Sequence, residues 1–292
     1  MGIYHKKLYI KDTKGVVQNV PIYTTKEECN NLCVTLKDGG NTVYVPYSGS
    51  KSNFSLYLKK QGRTYNLGVK QDTEYRMSKL YPSTYQTMTS VDNIKDDLQR
   101  RIDSNVSLLS MFETCYKLIN VPLFNTQNII DMRRMFLYCN NLIEVPLFDT
   151  QNVTNMQAML NNCQKLKTVP LFNTQNVVDM SAMFTFDVSL TEVPLFDTRN
   201  VTNMSHMFWG CKSLTNVPSF NTQKVEDMNS MFSECSSLTS IPIFDIRNVY
   251  DVNNMFGNTK VYNVTFKNKP ANLQVTSKIL CGDPYRISVN FI

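Results

Sequence analysis

The 292-residue chain has only two histidines, His5 and His206, which lie far apart in the sequence and belong to no recognisable motif. It also has no glycine-rich phosphate loop, no Gly-x-Ser-x-Gly sequence and no cysteine and histidine quartet with metal-site spacing. Catalysis by side chains needs such groups in defined arrangements. The sequence therefore predicts a protein that is not an enzyme and that uses no cofactor and no metal.

Long apolar runs are missing as well. No stretch approaches the roughly 20 residues that a membrane-spanning helix requires. The start, Met-Gly-Ile-Tyr-His-Lys-Lys, continues with alternating and polar residues and lacks the apolar core of a secretion signal. Lys6 occupies the position where a myristoylation signal has Ser or Thr. We therefore expect synthesis in the cytoplasm and no membrane insertion.

The chain also lacks a concentrated run of one charge. Its net charge is +6, but the lysines and arginines are scattered along the sequence. A scattered excess of this kind is typical of a solvated surface, whereas nucleic-acid binding needs a clustered basic patch. The sequence therefore predicts no nucleic-acid partner.

What the chain does have is a 24-residue repeat from Leu118 to Val249 whose register never changes. Each unit carries a proline that is followed two residues later by a phenylalanine. The prolines are Pro122, Pro146, Pro170, Pro194, Pro218 and Pro242, and the phenylalanines are Phe124, Phe148, Phe172, Phe196, Phe220 and Phe244. A period this strict is typical of a solenoid, in which each unit buries its apolar face against its neighbours.

Two local patterns alternate within each unit. The sequence Leu142-x-x-Val145-x-Leu147 matches the core of a leucine-rich repeat and predicts one short strand. The segment from Val153 to Cys163 is apolar at three- and four-residue steps and predicts one short helix. Asparagine precedes this helix in most units, where it is a preferred N-cap; the residues are Asn128, Asn152, Asn176, Asn200 and Asn248. The expected fold class is an α/β solenoid, a leucine-rich-repeat array preceded by a small all-β domain.

Columns of identical residues predict how the units hold together. Proline has no N–H to give to a sheet, so the strands should be short and stacked side chains should dominate. The two methionines of each unit and the phenylalanines are therefore expected to form the core. One cysteine per unit forms a further column, with Asp187 in the missing place: Cys115, Cys139, Cys163, Cys211 and Cys235. Because their number is odd, we expect buried reduced thiols and no systematic disulfides.

Two columns alternate between asparagine and aspartate, out of phase with each other until the last unit. One is Asn125, Asp149, Asn173, Asp197, Asn221 and Asp245, and the other is Asp131, Asn155, Asp179, Asn203, Asp227 and Asp251. Like charges stacked near 5 Å repel by about 0.8 kcal/mol even in bulk water, and alternation relieves this. A calcium-binding ladder is the alternative interpretation.

Four domains follow from these patterns. Residues 1–70 are rich in β-branched and aromatic residues separated by turn signals, and we interpret them as a small β domain for attachment or oligomerisation. Residues 71–104 form a connector that ends in a capping helix, Val91 to Asp103. Residues 105–260 form the solenoid, and residues 261–292 form a C-terminal β cap.

The run Asn200-Val-Thr-Asn-Met-Ser-His-Met-Phe-Trp-Gly-Cys-Lys-Ser-Leu-Thr-Asn-Val-Pro218 resembles the BspA-like leucine-rich repeat, whose units read close to Asn-Val-Thr-x-Met-x-x-Met-Phe-x-x-Cys-x-x-Leu. The resemblance covers residues 105 to 260 and implies no catalytic residues. It implies a surface protein that adheres to host tissue or other cells, since members are typically bacterial surface proteins. Similar repeats occur in proteins of bacteriophages from gut communities.

Two functions are compatible with these expectations. In the first, the chain is a non-enzymatic adhesion or receptor-binding protein, most simply a phage virion component assembled in the host cytoplasm. Its array would bind a protein or glycan on a cell surface, and residues 1–70 would bind the virion or a second copy. The alternatives are a bacterial cell-surface adhesin exported by another route and an intracellular scaffold for a protein partner. Fold alone cannot separate these classes.

The expected ligand site is a row of outward residues, one from the strand of each unit. Each precedes the buried valine or isoleucine, so it should point to solvent. We name this set the outward row: Asn120, Glu144, Thr168, Glu192, Asn216 and Ser240. Trp209 is a second candidate, because tryptophan is a common hot-spot residue and its column holds smaller side chains elsewhere.

Overall fold

A computed structural model describes the backbone of six strands between residues 8 and 66, and residues 76–103 and 105–292 in full. His5 lies outside the described residues. The chain divides into two units, Met1–Asp72 with Ser104–Val106 and Thr73–Asp103 with Ser107–Ile292.

Six short strands are described in the first unit, and their pairings are antiparallel. The strands β1 (Leu8–Lys11), β2 (Val17–Val20), β5 (Ser55–Lys60) and β6 (Arg63–Asn66) form a sheet in the order β2-β1-β5-β6, while β3 (Cys33–Asp38) pairs with β4 (Asn41–Pro46). Two-residue glycine-containing sequences separate β3 from β4 and β5 from β6, as suits tight hairpins.

The second unit begins with short helices that pack on the first repeat. They are α1 (Met77–Leu80), a 3-10 turn (Asp92–Ile94) and α2 (Lys95–Asp103). Leu98 and Ile102 of α2 are buried in the same core as the repeats. The side chain of Gln99 accepts a hydrogen bond from the Asn125 amide at 2.8 Å and donates one to the Asn125 carbonyl at 3.2 Å. The backbone amide and carbonyl of Asn125 are thus satisfied by α2.

Consecutive repeats are joined through their backbones. Parallel β-bridges connect residues 24 apart along one column, Ser107, Asp131, Asn155, Asp179, Asn203, Asp227 and Asp251. In the segment that follows this column, alternate amides donate to the next repeat and the others donate within their own. The Arg134 amide, for example, donates to the Gln157 carbonyl at 2.9 Å, whereas the Met135 amide donates to the Met132 carbonyl at 3.2 Å.

This alternation replaces the short helix expected in each repeat. All of residues 105–243 are described, and they consist of turns and isolated bridges with no helix and no regular strand. A helix would direct every one of these amides along its own axis, leaving none to join the next repeat. The expected strand at Leu142 to Leu147 is likewise not formed; its backbone joins the preceding repeat through the Ile143 amide and the Ile119 carbonyl, 3.0 Å apart.

Two residues per repeat adopt left-handed backbone conformations, four positions apart. They include Arg134 and Tyr138 in one repeat and Ala158 and Asn162 in the next. Such a conformation costs about 1–2 kcal/mol for a residue with a Cβ atom. The amide of each of these residues donates to the following repeat at 2.7–2.9 Å, so the left-handed residues take part in the junction between repeats.

The asparagines expected as helix N-caps have another role. The side-chain amides of Asn152, Asn176, Asn200 and Asn248 donate to a backbone carbonyl 25 residues earlier at 2.6–2.7 Å. In the repeat without this asparagine, Lys224 donates to the side chain of Asn200 at 2.7 Å. These residues are therefore donors between repeats, and no helix exists there for them to cap.

The core consists of the expected methionine and phenylalanine columns. Both methionines of every complete repeat are fully buried, and the phenylalanines that follow the prolines are at most 4% exposed. A second phenylalanine column stacks nearly parallel, with ring centroids of Phe208 and Phe232 5.6 Å apart. The prediction that these columns form the core is confirmed.

The C-terminal residues continue the pairing beyond the last repeat. The strands β7 (Phe244–Asp245), β8 (Asn263–Lys267) and β9 (Ser288–Phe291) form a parallel sheet in that order. The helix α3 (Ser277–Cys281) accepts hydrogen bonds from the last repeat, through the carbonyls of Ile279 and Leu280. Residues 261–292 thus take the hydrogen bonds that a further repeat would have taken.

Candidate binding surface

The outward row lies in a stretch where one or two exposed residues separate buried ones. Glu144, Thr168, Glu192, Asn216 and Ser240 are exposed, and Asn120 is half-buried. The next residue in each repeat is a valine or isoleucine that is buried or half-buried. The structure thus places these side chains on the surface at one equivalent position per repeat.

A row of leucines lies three residues further along the same stretch, and sequence reasoning missed it. We name this set the leucine row: Leu123, Leu147, Leu171, Leu195 and Ile243. Leu147 and Leu195 are each 60% exposed.

A tight turn after four of the six prolines explains the exposure of Leu147, Leu171 and Leu195. The Phe148 amide donates to the Pro146 carbonyl at 2.9 Å, and the equivalent bonds at Phe172, Phe196 and Phe220 have the same length. A hydrogen bond that closes over one residue forms a γ-turn with that residue at its tip. The leucine between proline and phenylalanine is therefore directed to solvent, while the phenylalanine returns to the core.

The leucine row is unusual for a surface. Singly exposed apolar residues are ordinary, but contiguous apolar patches mark interaction sites. Here apolar side chains recur at one position in four consecutive repeats, and Ile119 and Ile143 add partly exposed apolar surface beside them. The outward row and the leucine row together combine variable polar residues with an apolar stripe that is interrupted only at Ser219.

Trp209 lies in a different stretch of its repeat and is half-buried. Its ring centroid is 4.8 Å from that of Phe186 and 5.5 Å from that of His206. The structure therefore does not bring Trp209 into the outward row but places it in a separate aromatic group.

The two alternating columns have a structural function that both residue types can serve. In each repeat the Oδ1 atom accepts the backbone amide two residues later, for example Gln157 on Asn155 at 2.9 Å and Ser181 on Asp179 at 2.8 Å. Only an oxygen acceptor is needed, so aspartate and asparagine are interchangeable for this bond. Among the described residues, no group of three or more His, Cys, Asp or Glu side chains is placed to hold a metal ion.

A ladder of buried threonines joins the repeats beside the first of these columns. The hydroxyls of Thr126, Thr150, Thr174, Thr198 and Thr222 donate to the backbone carbonyl of the Asn or Asp one repeat later, at 2.8–3.0 Å. The recurrence of threonine at this position is a sequence signal for the ladder, and the sequence prediction did not include it.

The cysteine column consists of free, buried thiols, as expected. Each thiol after the first donates to a backbone carbonyl 27 residues earlier, as Cys139 does to Phe112 at 3.1 Å. Burial raises the pKa of the Cys115 thiol to about 12, so it stays protonated at neutral pH. These thiols therefore act as small apolar residues with a weak donor.

No helix among the described residues has the length and apolar character needed to cross a membrane. Within the second unit, backbone hydrogen bonds, polar side-chain ladders and stacked apolar columns hold the repeats together.

Residues 106–190 and 187–278 match the family described as "Mycoplasma protein of unknown function, DUF285". These ranges span more than half of the chain, so the chain belongs to this family, which is related to BspA-like repeat proteins. No curated protein matches the chain.

Proposed function

We propose that the chain is a non-enzymatic adhesion protein whose repeats, residues 105–260, form a solenoid that binds a protein on a cell surface. The observation that carries this proposal is the leucine row, an exposed apolar stripe beside the polar outward row. Burial of apolar side chains supplies the driving force of most protein association, at about 25 cal/mol per Å². The outward row, which differs between repeats, would provide specificity at the rim of the contact.

A rigid scaffold supports this proposal. The leucines project from turns that are closed by hydrogen bonds, and the phenylalanines that follow them are anchored in the core. Since the binding residues are already ordered, little conformational entropy is lost on binding. A stacked array also repeats the same contact at every unit, which suits an extended partner.

More specifically, the chain would be a tail- or head-fibre-like component of a bacteriophage virion. Residues 1–70 would then attach it to the particle or to a second copy. The resemblance of the repeats to those of phage proteins supports this form. A bacterial cell-surface adhesin is the alternative with the same binding surface, and detection of the chain in purified virions distinguishes the two.

Triple substitutions test the binding surface. Replacing Leu147, Leu171 and Leu195 by serine should lower attachment of the labelled chain to target cells at least tenfold. Serine already occupies this position at Ser219, so the melting temperature should not fall. Replacing Glu144, Thr168 and Glu192 by lysine should also abolish attachment.

The matched control is a triple lysine variant at the exposed glutamines Gln127, Gln151 and Gln175, which should attach normally. Attachment is measured by flow cytometry on a panel of intact bacterial cells. Unchanged attachment of both test variants would refute the surface, and loss through Trp209→Thr alone would move the site to the aromatic group.

A further inference from the structure

Phe186, His206 and Trp209 form an aromatic cluster on two successive repeats, and all three side chains are half-buried. Phe186 lies against Trp209 at an interplanar angle of 45°, and His206 meets the indole edge to face at 63°. Aromatic pairs in tilted and edge-to-face geometry attract each other beyond their burial. The cluster is thus a packed unit that still presents part of its surface to solvent.

The backbone fixes the position of this cluster. Phe186 and His206 both have left-handed conformations, with φ of 59° and 58°. The Phe186 amide donates to the Trp209 carbonyl at 2.7 Å, and the His206 amide donates to Asn229 at 2.8 Å. At Gly210, with φ of 76°, a Cβ atom would lie 2.4 Å from the ring of Phe186, so only glycine leaves room for that ring. The rings are therefore held before any ligand arrives.

The repeat itself does not require these aromatic residues. Thr185 and Ser233 occupy the position of Trp209 in the adjacent repeats, and Ala182 and Ser230 occupy that of His206. These neighbours are small and neutral, and several carry hydrogen-bonding groups. The Ser233 hydroxyl, for example, accepts a bond from the Asn254 side chain at 3.1 Å. The hydroxyls of Thr185 and Ser233 are buried, and the Thr185 hydroxyl donates to the His206 carbonyl at 2.6 Å. The aromatic surface is thus bordered by small side chains, of which Ala182 and Ser230 are half-buried.

We infer that the aromatic cluster binds a neutral pyranose of a glycan, stacked on Trp209. A pyranose has a face of C–H bonds and a rim of hydroxyls. The C–H bonds carry partial positive charge, which the negative face of an indole attracts. The hydroxyls can exchange hydrogen bonds with His206 and with Ser230, which are both half-buried. This site is independent of the leucine row, whose purely apolar stripe suits a protein partner.

Trp209 is the single tryptophan of the chain, so its fluorescence reports on this site alone. The full chain is titrated with a panel of neutral oligosaccharides, namely cellotetraose, chitotetraose, maltotetraose and a galactan fragment. We expect a saturable change in Trp209 emission with at least one of them, and saturation-transfer NMR should place the contact on the C–H face of that sugar. Silence of both signals with the whole panel overturns the inference.

The Trp209→Thr variant, which carries the residue of the adjacent repeat, should fold normally and lose the saturation-transfer signal. Trp209→Phe keeps a flat ring and should retain binding weakened by about tenfold. The triple serine variant of the leucine row is the control and should bind the sugar as the unchanged chain does. Full sugar binding by Trp209→Thr, or an emission change caused by apolar peptides and by no sugar, would also overturn the inference.

Discussion

Asp187 is the residue that departs most from its surroundings. It is fully buried in the cysteine column, between Cys163 in the preceding repeat and Cys211 in the following one. Its Oδ1 atom accepts a hydrogen bond from the Cys163 amide at 2.6 Å, but its Oδ2 atom has no hydrogen-bond partner. Burial raises the pKa of the Asp187 carboxyl well above its ordinary value. Burial therefore favours the protonated form of this carboxyl.

Asp187 breaks the hydrogen-bond pattern of the column. Each neighbouring thiol donates to the carbonyl 27 residues earlier, as Cys163 does to Phe136 and Cys211 does to Phe184. The residue in the same register before Asp187 is Leu160, but the Oδ2 atom of Asp187 makes no hydrogen bond. The acid thus fills the place of the thiol without making its bond.

This arrangement predicts a pH-dependent stability. An unfolded aspartate ionises near pH 3.9, whereas folded Asp187 keeps its proton to much higher pH. Below the unfolded pKa its contribution is fully present. As pH rises toward the folded pKa, the free energy of unfolding falls by about 1.4 kcal/mol per pH unit.

Asp187→Cys restores the column and should remove this loss. The melting temperature of the variant should therefore exceed that of the unchanged chain at pH 7.5, and the gain should shrink at pH 4. Differential scanning calorimetry at the two pH values measures both. A gain that is equal at pH 4 and pH 7.5 would show that ionisation of Asp187 is not its cause.

At the scale of the element, each repeat is built from turns that are stabilised by side-chain acceptors. In each repeat, the two alternating columns each supply one oxygen that accepts a backbone amide. The threonine ladder adds one hydroxyl, which donates to a backbone carbonyl of the next repeat. The alternation of charge and the constancy of the acceptor thus have separate causes. The acceptor is required by the turn, and the alternation reduces repulsion between stacked carboxylates.

Asn155 offers a test of these separate causes, because it lies between Asp131 and Asp179 in one bridged column. Asn155→Ala leaves the Gln157 amide without its acceptor and should cost about 1–2 kcal/mol at any pH. Asn155→Asp keeps the acceptor but adds a carboxylate near 5 Å from two others, each worth about 0.8 kcal/mol of repulsion in bulk water.

Urea denaturation at pH 7 and pH 4 separates the two variants. The deficit of Asn155→Asp relative to the unchanged chain should shrink at pH 4, where carboxylates take up protons, and in high salt. The deficit of Asn155→Ala should persist under both conditions. Asp179→Asn is the control, because it removes a charge and keeps the acceptor. A pH-independent deficit for Asn155→Asp would contradict the role given to repulsion.

The register and the core could be predicted from the sequence because apolar side chains mark them directly. The choice between helix and turns could not. Met132, Met135, Phe136 and Cys139 have the same three- and four-residue spacing in either form and are buried in the structure. The difference lies in left-handed backbone at Arg134 and Tyr138, where neither glycine nor asparagine signals it.

The candidate surface was predictable to a similar extent. Alternation around the buried valine indicated that Glu144 points to solvent, and it is exposed. The leucine row was not predicted, because a pattern of leucines suggests burial. The γ-turn that exposes Leu147 depends on a single hydrogen bond across one residue, which the pattern does not show. Contacts between repeats, such as the Thr174 hydroxyl to the Asp197 carbonyl, depend on stacking geometry that spacing alone does not specify.

At the scale of the whole molecule, the proposed solenoid implies stability that is summed over neighbours. Every hydrogen bond described between repeats joins residues about one repeat apart, at separations of 21 to 27 residues. Removal of one complete repeat should therefore create a new junction that is equivalent to the old ones. Removal of half a repeat should instead stack the turns of one repeat on the leucine-row stretch of the next, so that equivalent residues no longer face each other.

Deletion of residues 142–165 joins Asn141 to Leu166 and keeps every column in register, although it places Asp131 beside Asp179. This variant should unfold in one cooperative transition, with a melting temperature lowered by several degrees, about what loss of a few kcal/mol produces in a chain of this size.

Deletion of residues 142–153 removes half as many residues but shifts the methionine, phenylalanine and threonine columns out of register. It should show no cooperative transition in circular dichroism, because buried hydroxyls and amides would lose their acceptors across the junction. Cooperative unfolding of the shorter deletion at an equal or higher temperature would contradict nearest-neighbour stacking and, with it, the solenoid on which the proposed binding surface depends.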